Sequence, residues 1–259
     1  MNKSKIAILF TGHLRSLDRA IPDWKSKHPE FYDADKTDVF CHTWSGENKT
    51  GWENDNKPRI MRNTLYTIDD LKQHMNVVSC DVEEYDSSPV GELTKQNNYI
   101  GTNFSQAYTS RRVYEMFEKY SNETNTKYDL VIKTRVDTFL GRFPPQFSAY
   151  GDSGDPQPLP IELLKDKVKE SPDKVMVPWF NNCDHGGMTD QVLIGSKGSM
   201  QGICCLYIEW LQKNAGTIGH WHIETNFKKF TDHYGFNIER FHYNLGILRS
   251  IPGWDGAVP

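Results

Sequence analysis

Residues Tyr128 to Phe139 constrain this chain more than any other stretch. Leu130, Val131 and Ile132 form an unbroken apolar run with β-branched members, the pattern of a strand buried on both faces. Polarity then switches without a turn residue, through Lys133, Thr134, Arg135 and Asp137. A strand that begins apolar and ends charged points to a site at its end, because open α/β sheets bind ligands outside the carboxyl ends of their strands. If the chain stays extended, alternation puts Lys133, Arg135 and Asp137 on one side. Two cations and a carboxylate there suit an anionic ligand, held directly or through a divalent metal. The competing reading is a plain Arg135–Asp137 ion pair at the rim of a sheet.

A chain of 259 residues allows one large α/β domain or two small lobes sharing a sheet. With 37% hydrophobic and 12% aromatic residues it can build a sizeable core, which argues against disorder. Thirty basic against 34 acidic residues give a net charge of −4. General nucleic-acid binding calls for a basic excess instead. No stretch approaches the roughly 18 apolar residues of a membrane span. The apolar run that follows Lys5 is too short for a signal-peptide core, and no small-residue cleavage site follows it. The five cysteines (Cys41, Cys80, Cys183, Cys204 and Cys205) are odd in number and show no CxxC spacing. Both observations make a cytoplasmic location the expectation.

Taken in order, Ile6 to Phe10 reads as a buried first strand, followed at once by Thr11, Gly12, His13, Leu14 and Arg15. A glycine there lets backbone approach a ligand closely, and Arg15 stands where a phosphate could be held. This is not a GxGxxG loop, so a dinucleotide site is not supported. An ordinary turn with a solvated arginine is the plainer alternative. Thr37 to Trp44 looks like a second strand, also ending polar at His42, Thr43 and Trp44. Residues 45–63 form a long polar loop. Thr67 caps a following helix, and Val77 to Val82 is a third strand. Residues 86–102 are polar and read as irregular. Asn103 with Gln106 fits a capping box opening the next helix, whose Phe104, Ala107, Tyr114 and Phe117 share a face, with Tyr108, Arg111 and Arg112 elsewhere.

The first half therefore alternates strand and helix, as parallel sheets do. Right-handed crossovers place the fourth strand beside the first, at a switch point where their ends share a crevice. Beyond Asp137, residues 141–173 read as a long excursion rich in Pro, Gly and Asp. Val175 to Trp179 is a short strand that Pro178 assigns to an edge. A loop from Asn181 to Gly187 and the segment Thr189 to Gly195 lead into another strand. Residues 200–211 and 223–234 have helical apolar periodicity, the second closed by Gly235. The tail from Phe241 to Leu248 closes the sheet or covers the crevice. Cys204 and Cys205 are read as core.

The strand into Thr11–Arg15, the strand ending at His42–Trp44, the helix around Ser105–Tyr108, Tyr128–Asp137 and Thr189–Gly195 resemble, in this order, a family of small GT-A-type glycosyltransferases. Its members come from bacterial surface-polysaccharide loci and from large viruses. The resemblance covers most of the chain. It implies an α/β fold with a Rossmann-type nucleotide-binding half (1–140) joined to an acceptor-binding half (141–259) in a single domain. It also implies transfer of a sugar from a nucleotide-diphosphate donor to a glycan or other hydroxyl acceptor, in polysaccharide biosynthesis. Thr11, Gly12 and Arg15 would contact the nucleotide, with Tyr108, Lys133 and Arg135 also on the donor. Asp137 would be the Mn²⁺ or Mg²⁺ ligand, and Asp190 the acceptor-side base with Asp184 in reserve. Arg135 stands where the family carries the first carboxylate of its Asp-x-Asp motif. A single carboxylate then holds the metal with help from phosphates, or Arg135 and Lys133 neutralise the diphosphate unaided. The literal Asp33-x-Asp35 lies ahead of the second strand and reads as solvated loop. His233 or His242 is a late metal-ligand alternative; His220 and His222 lack a partner carboxylate or cysteine. Rival functions are a nucleotidyltransferase, a sugar-nucleotide hydrolase, or a non-catalytic nucleotide- or glycan-binding module.

Overall fold

The computed structural model describes residues 4–14, 17–45, 66–96, 98–140, 158–179, 188, 190–214, 223–242 and 245–247. They form a seven-stranded, mostly parallel sheet between two helical layers. The strands are β1 (Lys5–Thr11), β2 (Thr37–Ser45), β3 (Val77–Glu84), β4 (Tyr128–Thr134), β6 (Val175–Trp179), β7 (Leu193–Gly195) and β8 (Ile238–His242), with β5 (Thr138–Leu140) and β9 (Leu245–Ile247) forming a separate antiparallel pair. The helices are α1 (Leu17–Lys27), α2 (Ile68–Lys72), α3 (Pro89–Gln96), α4 (Asn98–Thr124), α5 (Ile161–Glu170), α6 (Lys197–Asn214) and α7 (Ile223–Tyr234).

The order across the sheet is β3-β2-β1-β4-β7-β6-β8. β1 pairs in parallel with β2 on one side and β4 on the other. The chain thus reverses its direction of travel between β1 and β4, the switch point expected from the strand–helix alternation. β7 is antiparallel to both its neighbours, β4 and β6. Its amino-terminal end therefore reaches the rim where β1, β2 and β4 have their carboxyl ends.

Alternation along the strands sorts the core into two clusters. Ile6, Ile8, Phe10, Val39, Cys41, Leu130 and Ile132 face one layer, with α1, α2 and α5. Ala7, Leu9, Phe40 and Val131 face the other, with α4, α6 and α7. The α6 stripe of Met200, Ile203, Cys204, Tyr207 and Leu211 is buried as its periodicity predicts. Thr67 caps α2 in a reciprocal box with Asp70, and Gly235 follows α7 at φ +65°.

Several expectations change. Residues 86–102 contain a helix, α3, whose small apolar side is Val90 and Leu93, three apart and packed on the α4 cluster. α4 starts at Asn98, so Asn103 and Gln106 lie inside it and form no capping box. Part of the 141–173 excursion is α5. β6 is not an edge strand. It lies between β7 and β8, and Pro178 is tolerated because the β7 pairing ends at Met176. β4 ends at Thr134; residues 135–138 form a turn closed by the Thr138 N–H donating to Arg135 O at 3.2 Å. Arg135 and Asp137 are therefore neighbours through a turn, not through strand alternation. Asp33 and Asp35 sit on the loop before β2, Asp35 exposed, at the opposite end of the sheet from the charged rim.

Candidate active site

The rim formed by the ends of β1, β2 and β4 begins with a row set by sheet register. Thr11 lies opposite His42, and Phe10 opposite Thr134. The Thr11 hydroxyl donates to Thr134 O at 3.3 Å, tying β1 to β4. Gly12 follows at φ +83°, a backbone conformation that favours glycine. A Cβ there would meet nothing within 4 Å, so the conformation alone selects glycine. Arg15 and Asp184 lie outside the described residues, as do His220, His222 and the side chain of His242.

Beyond β4, Arg135 grips Asp137 with both arms of the guanidinium: Nε donates to Oδ1 at 2.8 Å and Nη2 to Oδ2 at 2.7 Å. Asp137 is fully buried and the Arg135 side chain keeps 15% exposure. Burial works against the Arg135 charge, but the Asp137 carboxylate and then Asp190 hold its pKa above the ordinary value. The plain ion pair is thus present, at the switch point. The guanidinium takes one lone pair of each Asp137 oxygen. The positive charge at the rim is that of Arg135.

Lys133 is directed elsewhere. It is 2% exposed, and its ammonium donates to the backbone oxygen of Asp190 at 2.6 Å. Burial lowers its pKa, against the pull of Asp190. The antiparallel β7 places Asp190 here: Leu193 pairs with Lys133, and the chain just ahead of β7 folds over the end of β4. Asp190 is 4% exposed. Burial raises its pKa, against Lys133 and Arg135, which lower it, and with Glu224, which adds to the rise. A carboxylate with a raised pKa is a stronger proton acceptor than a solvated one.

Three side chains around Asp190 were not singled out as functional in the sequence. The Gln106 amide, turned so that its NH₂ faces the carboxylate, donates to Asp190 Oδ1 at 3.1 Å and also to Oδ2. Tyr207 of α6 has a buried hydroxyl with no hydrogen-bond partner among the described residues. Burial first, then Asp190 and Glu224, raises its pKa well above that of an ordinary phenol. Glu224 stands in the first turn of α7, where its carbonyl accepts from Met188 N–H at 3.0 Å. A signal for Gln106 existed. Asn103, Gln106 and Ser110 make a polar stripe along α4, with Asn103 and Ser110 buried, and a buried polar stripe needs partners. Asn103 Oδ1 duly accepts from Asn226 of α7 at 3.2 Å.

Tyr108 belongs to a different group. Its hydroxyl donates to Glu83 Oε2 at 2.8 Å, and its ring stacks on Trp44 with centroids 5.8 Å apart. Arg112, one turn along α4, bonds Asp81 Oδ2 and Glu83 Oε1, both at 2.9 Å. No described contact joins Tyr108 to Lys133, Arg135 or Asp137. His233 is exposed in the last turn of α7, its ring against Tyr234. A cleft of about 730 Å³ opens at the amino-terminal end of the sheet, lined in part by Ser4, His28, Asp35, Asp129 and Leu159. It contains none of the rim residues, and the strand-end rule favours the other end.

No family model matches the chain, and neither does any curated protein. Among solved structures it is similar to a protein from Desulfovibrio desulfuricans G20 assigned by name only as a nucleotide-diphospho-sugar transferase. The TM-score is 0.41 and the identity 9%, over 93% of this chain and 80% of that one. A likeness of that strength decides nothing about chemistry. Among the described residues no helix is long and apolar enough to cross a membrane.

Proposed function

We propose that the chain is a GT-A-type glycosyltransferase that moves a sugar from a nucleotide-diphosphate donor to a hydroxyl acceptor. The observation that supports this reading best is the delivery of Asp190 by β7 to the rim that Arg135 and Asp137 occupy, at the β1/β4 switch point. The resemblance in the order of sequence motifs adds to it.

In this reading the bond between the anomeric carbon and the diphosphate oxygen breaks as the acceptor oxygen bonds to that carbon. The leaving diphosphate gains negative charge. Arg135, prevented from turning by its two bonds to Asp137, meets that charge without reorganising. Thr11 and Gly12 shape the neighbouring backbone for the nucleotide, with Arg15, three residues on in the sequence, as a further donor contact. Asp190 takes the acceptor proton, its carboxylate held by Gln106 and its backbone by Lys133. Lys133 is a positioning residue, since its ammonium is spent inside the protein. The acceptor would enter from the 141–259 half. A Mn²⁺ or Mg²⁺ ion held by Asp137 would stabilise the same leaving group; no step here uses one.

The test is a screen of nucleotide sugars by thermal shift, followed by release of nucleotide diphosphate with and without sugar acceptors. Acceptor-stimulated release supports the transferase. Release indifferent to acceptor points to hydrolysis or nucleotidyl transfer, and binding without release to a non-catalytic module.

A further inference from the structure

On β3, Asp81 and Glu83 are two residues apart and so share a face of the sheet. In the neighbouring β2, His42 pairs with Asp81 and Trp44 with Glu83. The three side chains His42, Asp81 and Glu83 converge, with one ligand-capable atom of each lying within 4.8 Å of the others. Ligand atoms on a tetrahedral ion with bonds of about 2.1 Å sit about 3.4 Å apart. His42 Nε2 and Glu83 Oε1, at 3.2 Å, are already close to that spacing.

A second observation is independent of the acidic pair. His42 is completely buried; its Nε2 makes only the 3.2 Å ion-pair contact with Glu83, and its Nδ1 has no hydrogen-bond partner among the described residues. Buried polar atoms are almost always satisfied, so a fully buried imidazole with one nitrogen unpartnered and the other against a carboxylate leaves room for a further partner. The carboxylates are also oriented from outside. Arg112 bonds both of them and Tyr108 bonds Glu83, as outer partners of a metal centre do. Two carboxylates against one guanidinium leave one negative charge for a cation to meet.

We infer that His42, Asp81 and Glu83 form a binding site for a first-row transition-metal dication, with Zn²⁺ as the best fit. One imidazole nitrogen with two carboxylate oxygens suits Zn²⁺ or Co²⁺, whereas Mg²⁺ prefers oxygen ligands throughout. The ion would tie the outer strand β3 to β2 beneath α4. The inference stands apart from the glycosyltransferase reading, whose metal position is Asp137.

The test uses the full chain, stripped with EDTA and titrated with Zn²⁺ by calorimetry and with Co²⁺ by visible absorption. We expect one equivalent of Zn²⁺ per chain, the strong absorption of four-coordinate Co²⁺, and a higher Tm with Zn²⁺ present. His42→Ala and Glu83→Gln should each weaken binding by about tenfold or more, and Asp137→Asn should leave it unchanged. Glu83→Gln keeps side-chain volume, so it decides the matter should His42→Ala fail to fold. The inference is overturned if the folded wild type takes up no stoichiometric Zn²⁺. It is equally overturned if Glu83→Gln binds as the wild type does, or if Asp137→Asn is the variant that loses the ion.

Discussion

In the proposed reading Asp190 carries the proton-transfer role, and its surroundings set what its removal should do. Asp190→Asn keeps the shape and the backbone carbonyl that Lys133 needs, but it cannot accept a proton. We expect kcat to fall by about 10²–10⁴-fold, with donor affinity by calorimetry unchanged. A variant turning over at the wild-type rate would move the base elsewhere. The pH profile is a separate reading of the same group. The base works only when deprotonated, and burial raises its pKa. The acidic limb of kcat/KM should therefore lie above the ordinary aspartate value of about 3.9; a limb at that value would exclude Asp190. His28 supplies a stability counterpart. It is 1% exposed, and its Nε2 accepts from Leu159 N–H at 3.0 Å, a bond that only the neutral ring can make. Burial lowers its pKa, against Glu30 and Asp23. Below about pH 6.5 the unfolded chain takes up a proton that the folded chain refuses, so stability falls as pH falls through that range. Urea midpoints at pH 7.5 and 5.5 should show the loss, and His28→Gln should flatten it.

At the scale of elements, the turn after β1 and the reversed strand β7 build the rim. Gly12 has φ +83° with open space around its Cα, so Gly12→Ala should cost about 1–2 kcal/mol of conformational strain. Gly12→Asn should cost less, because asparagine tolerates the left-handed region better. Urea unfolding of both variants measures the difference, and an alanine variant of wild-type stability would mean that the turn relaxes. Much of this scale was legible in the sequence. Apolar runs at Ile6–Phe10 and Leu130–Ile132 are strong signals, and strand–helix alternation implied the β1/β4 junction. The direction of β7 was not legible, because a three-residue strand has no periodicity to read and its orientation is set by tertiary pairing. The same gap hid why Asp190 meets Lys133. Gln106 was missed for another reason. The Asn103–Gln106 spacing imitates a capping box, and only the helix extending back to Asn98 shows that both point inward. Lys133 read as a ligand-facing cation because nothing in the sequence shows that the chain ahead of β7 brings the Asp190 carbonyl onto its ammonium.

Across the whole molecule, the 1–140 and 141–259 halves do not own separate cores. One cluster joins Leu9, Phe40 and Val131 to Val175, Met200 and Ile203; the other joins Ile8 and Ile132 to Ile161, Val168 and Ile194. Polar links cross as well. Tyr114 donates its hydroxyl proton to Lys197 O at 2.9 Å, and Lys133 reaches Asp190 O. Separating the halves would expose apolar area on both faces of β4, at about 25 cal/mol per Å², and strand the buried ammonium of Lys133. The halves should therefore unfold together. Far-UV circular dichroism and tryptophan fluorescence are expected to give one coincident urea transition, and residues 1–140 expressed alone should show no cooperative transition. Two separated transitions would mean that each half folds on a core of its own. The rim would then be an interface between independent units, free to open, and the placement of Asp190 on Lys133, on which the proposed proton transfer rests, would be lost.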